Sequence, residues 1–240
     1  MNELSALKDF LQFNQNMIAQ EALKEDGTGC KYRPVFVVLI YSGTGFSQLA
    51  DHFVKGAQYW HAGLAFGPSL GNIYSFNFGK YGTNKFKGGL SFESISAYKE
   101  KHPEGYCYVG CVLLTPDRYK KLKANLNYYM ENKSKTRYSF INLIWSLFGR
   151  KKKMGEFSFV CSTFVDAVLK SVNVDLNGKA NNLVKPDDLL SKNPNEIEVY
   201  KGDIVKYDAE KARQKVEKYA NNKNYAYFSR GGYSRYRGTA

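Results

Sequence analysis

Cys161 and His61 are the residues whose types and settings suit a thiol-based reaction. Cys161 lies in Phe159-Val160-Cys161-Ser162-Thr163-Phe164-Val165-Asp166-Ala167-Val168-Leu169, behind the aromatic run Phe157-Ser158-Phe159. Phe164, Val165, Val168 and Leu169 follow it at three, four, seven and eight positions, the spacing of one helix face. The pattern puts the thiol on the first turn of a helix with a buried stripe. Unpaired backbone N–H groups and the positive end of the helix dipole at that place favour a thiolate, the nucleophilic form of cysteine. The competing reading is a small buried residue, a common role for a lone cysteine. His61 stands about a hundred positions earlier, in Tyr59-Trp60-His61-Ala62-Gly63-Leu64-Ala65-Phe66. Alternation and aromatic content mark that run as a strand. If the fold joins the two, the imidazole serves as the base for the thiol.

The elements that would position them follow from the pattern around each. Gly67-Pro68-Ser69-Leu70-Gly71-Asn72 is a turn, and Ile73-Tyr74-Ser75-Phe76-Asn77-Phe78 returns from it as the second strand of a hairpin. Alternate residues of a strand share a face, so His61, Gly63 and Ala65 point one way, and Ser75 and Asn77 point together. The small residues beside His61 leave room for an approaching group, and a polar residue across the hairpin is placed to orient the ring. Upstream, Val35–Tyr41 is continuously apolar, the mark of a strand buried on both faces. Ser42-Gly43-Thr44-Gly45 breaks it, and a helix from about Phe46 to Gly56 follows.

Downstream, Gly88-Gly89 and the segment Leu90–Tyr98 read as a loop and a short element, and Tyr106–Leu114 as another strand. Cys107 and Cys111 share a face of that strand and are read as packing residues, because a strand offers no helix dipole. A helix spans Arg118 to Met130 and an apolar aromatic helix Phe140 to Phe148, which leads into Gly149-Arg150-Lys151-Lys152-Lys153. Val184-Lys185-Pro186-Asp187-Asp188 is a turn with proline at a first helical position. Tyr200–Tyr207 reads as a small outer strand and 208–220 as a charged helix. Residues 2–25 form an amphipathic helix ahead of this unit, and Ser229–Gly238 interleaves Arg, Gly and Tyr.

Composition bounds the setting. The 240 residues suffice for one core-forming domain with extensions, and 43% hydrophobic content with 19 Tyr and 16 Phe excludes a disordered polymer. No apolar run reaches eighteen residues, so no membrane-crossing helix is expected. The first ten residues lack the pattern of a secretory signal, which points to a cytoplasm or the inside of an assembly. Four cysteines without a CxxC pair, and no histidine at ligand spacing, argue against a zinc site or a disulfide framework. No metal and no cofactor is expected. The net charge of +13 concentrates in 118–153 and 201–240, leaving the remainder slightly acidic. Such stretches suit a polyanion, nucleic acid included, or simply solvated faces.

The ordered set of these motifs resembles the circularly permuted NlpC-type, papain-like cysteine hydrolases, including the YiiX-like and lecithin:retinol-acyltransferase-like branches. The likeness runs over roughly 33–190. It is carried by Val35–Tyr41 with its Gly-Thr-Gly turn, Tyr59-Trp60-His61, Ile73–Asn77, Gly88-Gly89-Leu90-Ser91-Phe92-Glu93, Phe159–Val165 and Val184–Asp188. Papain-like enzymes usually place Cys before His, so the His-first order here implies a permutation. The resemblance implies an α+β fold, an antiparallel sheet packed on helices. It also implies Cys161 as nucleophile, His61 as base and Ser75 as the orienting third residue, with Asn77 as its rival. The family often has a carboxylate, His or Asn at that third position; a serine orients an imidazole more weakly. The Cys161 N–H would help form an oxyanion hole.

The expected organisation is an N-terminal extension over 1–31, a hydrolase domain over 32–200 and a basic C-terminal extension over 201–240. The expected function is a peptidase or amidase that passes through an acyl-enzyme on a peptide or another amide or ester. The alternative is a weakly active or inactive papain-like module that binds partner chains through its extensions in a larger assembly, such as a virus particle.

Overall fold

The computed structural model of the chain describes residues 32–42, 58–77, 88–138, 155–180, 184–190 and 196–220. The helices expected over 2–25, 46–56 and 140–148, the basic run 149–153, the Arg/Gly/Tyr tail, Cys30 and His52 lie outside these residues.

The fold is α+β, an antiparallel sheet of six strands with four α-helices among the described residues. In chain order the elements are β1 (Arg33–Tyr41), β2 (His61–Ala65), β3 (Ile73–Asn77), β4 (Gly89–Glu93), α1 (Ile95–Lys101), β5 (Tyr106–Leu114) and α2 (Pro116–Glu131). Then come β6 (Arg137–Tyr138), β7 (Ser158–Phe159), α3 (Cys161–Lys170), β8 (Glu196–Asp203) and α4 (Ala209–Ala220). The sheet order is β4-β3-β2-β1-β5-β8, and β6 and β7 form a separate parallel pair. β1 is central and Val35–Ile40 are all buried, as continuous apolarity on both faces requires. Its register sets Ile40 opposite His61 on one side and Cys107 on the other.

Strand alternation divides the core in two. Val35, Val37, Leu39, Leu64, Tyr74 and Phe76 face α3 and α2, with the Phe76 ring 4.7 Å from that of Phe164. Phe164 is fully buried, which contributes roughly 2–3 kcal/mol through apolar burial. Phe36, Val38, Ile40, Ala65, Ile73, Cys107 and Cys111 face the other side, with α1 and α4. Cys107 and Cys111 thus share a face, both fully buried.

Three sequence expectations change. The short element read over Leu90–Tyr98 is two: Leu90–Glu93 is most of β4, an edge strand whose Leu90 and Phe92 alternate with Ser91 and Glu93, and α1 starts at Ile95. The small outer strand begins and ends earlier, at Glu196 and Asp203. The domain limit drawn at 200 therefore falls inside β8. The unit that begins at Tyr32 continues past it, because Ile204, Tyr207, Ala212 and Val216 are buried in the second core layer.

Candidate active site

Cys161 is the first residue of α3. The helix starts there because Thr163 Oγ1 accepts the Val160 N–H at 3.0 Å, while the Val160 carbonyl accepts the Phe164 N–H at 3.0 Å. The N–H of Cys161, as a first-turn group, has no acceptor within its own helix. The sulfur lies 3.9 Å from the Trp60 carbonyl oxygen, one residue before His61.

His61 opens β2. Trp60, before it, donates its N–H to the Ile40 carbonyl at 3.1 Å. The His61 side chain shares an alternation phase with Gly63 and Ala65, the phase of the second core layer, whereas Cys161 belongs to the first. The two meet because each is the first residue of its element, at one end of the sheet. There the Cys161 thiol is close enough to the imidazole to help raise its pKa.

The other ring contacts come from β3 and β4. His61 Nε2 donates to Glu93 Oε2 at 2.6 Å, with side chains 17% and 19% exposed, so the pair is largely withdrawn from water. Ser75 Oγ is 3.0 Å from the same nitrogen and donates its own proton to the Ala62 carbonyl at 2.7 Å. It therefore presents only a lone pair to the ring. Nε2 is thus committed, and Nδ1 is the ring nitrogen left for the sulfur.

Glu93 is itself held. Tyr98 of α1 donates its hydroxyl to Glu93 Oε1 at 2.7 Å. Asn77 also hydrogen-bonds Glu93, and its amide donates to Ser91 Oγ at 2.9 Å. Burial alone would lower the pKa of His61, but the Glu93 charge and the hydrogen bonds of Cys161 and Glu93 outweigh it and hold the imidazole at about 10. Burial likewise opposes ionisation of Glu93, yet the His61 charge and the hydrogen bonds of His61, Tyr98 and Asn77 keep it down at about 2. Tyr98 is pushed up by burial and then by the neighbouring carboxylate.

Of the residues singled out in the sequence, Cys161, His61 and Ser75 come together here, and Asn77 reaches the network through Glu93. The assignment of the orienting role to Ser75 needs correction in one respect: the charged partner of the ring is Glu93. Its signal was present in the alternation of Gly-Leu-Ser-Phe-Glu, which puts Ser91 and Glu93 on one face. The open space expected beside His61 is also filled. A Cβ on Gly63 would run into Ile73 Cγ2 and come within 3.5 Å of Ser75 Cβ, so that glycine allows close approach of β3.

Among the described residues no group of three or more His, Cys, Asp or Glu is placed to hold a metal ion. No helix among them is long and apolar enough to cross a membrane. Comparison of the chain with known protein families, with curated proteins and with solved structures finds no match.

Proposed function

We propose that the chain is a thiol hydrolase of the circularly permuted, papain-like kind, acting on an amide or ester carbonyl. One observation carries the reading: a helix-opening thiol lies 3.9 Å from the Trp60 carbonyl oxygen, next to an imidazole that a largely buried carboxylate holds at 2.6 Å. In the reaction, the proton shared by the pair rests on His61, and the sulfur attacks the carbonyl carbon, forming a C–S bond and an oxyanion. The Cys161 N–H is placed to donate to that oxyanion. Collapse breaks the bond to the leaving nitrogen or oxygen, which receives the proton from His61. A water then gives a proton to His61 and attacks the thioester, breaking the C–S bond to release the acid and leaving the proton on His61. Glu93 stabilises the imidazolium at each stage, and Tyr98 and Asn77 keep Glu93 aimed at it.

The test is hydrolysis of a panel of peptide and ester substrates, peptidoglycan-type peptides included, by the full chain and by Cys161→Ala and His61→Ala. Turnover abolished by either substitution supports the reading; turnover that survives both ends it. A second reading, a module that keeps the fold without turnover, is favoured by the burial of Cys161, 4% exposed. It predicts an alkylation rate for Cys161 no higher than that of fully buried Cys107.

A further inference from the structure

The separation of thiol and imidazole is not set by the sheet alone, since the two residues arrive from different core layers. A third segment touches the chain beside each of them. Ser162, next to the thiol and 2% exposed, donates its hydroxyl to the Val184 carbonyl at 2.7 Å. Three residues further on, Asp187 accepts two backbone N–H groups from the stretch that enters β2. Its Oδ2 takes the Gln58 N–H and its Oδ1 the Tyr59 N–H, each at 2.9 Å. Between these contacts the segment is stiff. Pro186 opens a 3-10 turn, Pro186–Leu189, and Asp188 Oδ2 accepts the Lys185 N–H at 2.9 Å. Val184 and Leu189 are buried at 1% and 0% exposure. The contacts close a ring: Cys161 and Ser162, then Val184 to Asp187, then Tyr59 and Trp60, whose carbonyl oxygen lies 3.9 Å from the sulfur, one residue before His61.

We propose that Asp187 is a positioning residue for the thiol–imidazole pair, bracing the entry of β2 against the first turn of α3 so that His61 stays within reach of Cys161. The role calls for a carboxylate. Two oxygens accept two adjacent N–H groups at once, whereas an amide of the same shape turns its NH2 toward one of them and leaves that donor opposed. A hinge at this place would move the ring without touching any residue that contacts it, and a misplacement of 1 Å suffices to slow a reaction by about a hundredfold. The proposal rests on the hydrolase reading for its consequence in rate, but the contact itself is read independently.

The experiment compares Asp187→Asn with Asp175→Asn in the full chain. Asp175 is the control for the loss of an aspartate charge, because it accepts two backbone N–H groups, from Asn177 and Gly178, both at Oδ1 and away from the pair. Two readouts are used: the iodoacetamide rate at Cys161, followed by peptide mass spectrometry, and the NMR titration of the His61 ring. The brace predicts that Asp187→Asn slows alkylation about 10- to 100-fold and lowers the midpoint of the ring, which moves away from the sulfur that helps raise it. Asp175→Asn leaves both as in wild type. Equal rates in wild type and Asp187→Asn, or equal slowing by both variants, overturn it. If wild-type Cys161 reacts no faster than an unfolded cysteine, the hydrolase reading fails, and the ring titration alone decides: an unchanged midpoint in Asp187→Asn overturns the brace. Should Asp187→Asn not fold, Ser162→Ala cuts the other end and is expected to shift both readouts in the same direction, with no shift in either overturning the proposal.

Discussion

His61 Nε2 and Glu93 Oε2 lie 2.6 Å apart, joining the first residue of β2 to the last residue of β4 across the intervening strand. The contact commits Nε2 to the carboxylate, and it decides what each neighbour contributes.

The carboxylate should matter more than the serine. Glu93→Gln keeps the shape but removes the charge that holds His61 protonated, so Cys161-dependent turnover is expected to fall by about 10²-fold or more. Ser75→Ala removes one lone pair and the tie to Ala62, and the expected loss is less than tenfold. Steady-state kinetics of the two variants check the ranking, and a larger loss in Ser75→Ala would reverse the assignment.

The pair should leave a defined trace in the pH dependence of stability. His61 is raised from 6.5 to about 10, so its contribution is complete below pH 6.5 and lost as pH climbs through about 10. Glu93 is lowered from 4.5 to about 2, so its contribution is complete above pH 4.5 and lost as pH drops through about 2. The stability difference between wild type and Glu93→Gln is therefore expected to be flat between those two ordinary values and to shrink on either side. Urea unfolding across pH 3 to 10 measures it; a difference still growing from neutral to alkaline pH contradicts the ion pair.

Gly63→Ala is expected to destabilise the protein by about 1–3 kcal/mol, the range for overpacking a tight core. The added methyl meets Ile73 and, at 3.2 Å, the Tyr74 carbonyl, so β3 must shift and carry Ser75 with it. Thermal melts give the stability. The shift of β3 should also reduce the Cys161 alkylation rate, which would stay at the wild-type value if β3 had not moved.

Truncation tests where the folded unit ends. A chain stopped after Tyr200 cuts β8 and removes Ile204, Tyr207, Ala212 and Val216 from the second core layer, and it is expected not to fold cooperatively. A chain stopped after Ala220 keeps those contacts and should unfold in one cooperative transition. Circular dichroism melts of both chains distinguish them, and a cooperative melt for the shorter one would restore the boundary at 200.

Much of this was legible in the sequence wherever the signal is local. Periodicity placed α3 and its inner stripe, continuous apolarity marked β1, and the turn at Gly67–Asn72 paired the strands that bring Ser75 to His61. These depend on residues within a few positions of one another, where backbone geometry alone sets which side chains share a face. Glu93 and Asp187 were another matter, although both stood inside recognised motifs. A carboxylate in an alternating strand or after a proline reads equally well as a solvated surface group. Only the pairing of β4 beside β3, and the return of 184–187 against the entry to β2, put these two beside their partners, across 32 and 128 positions of chain. Local chemistry thus chose the residue types, while long-range strand order and close packing chose which of them lie within hydrogen-bond reach.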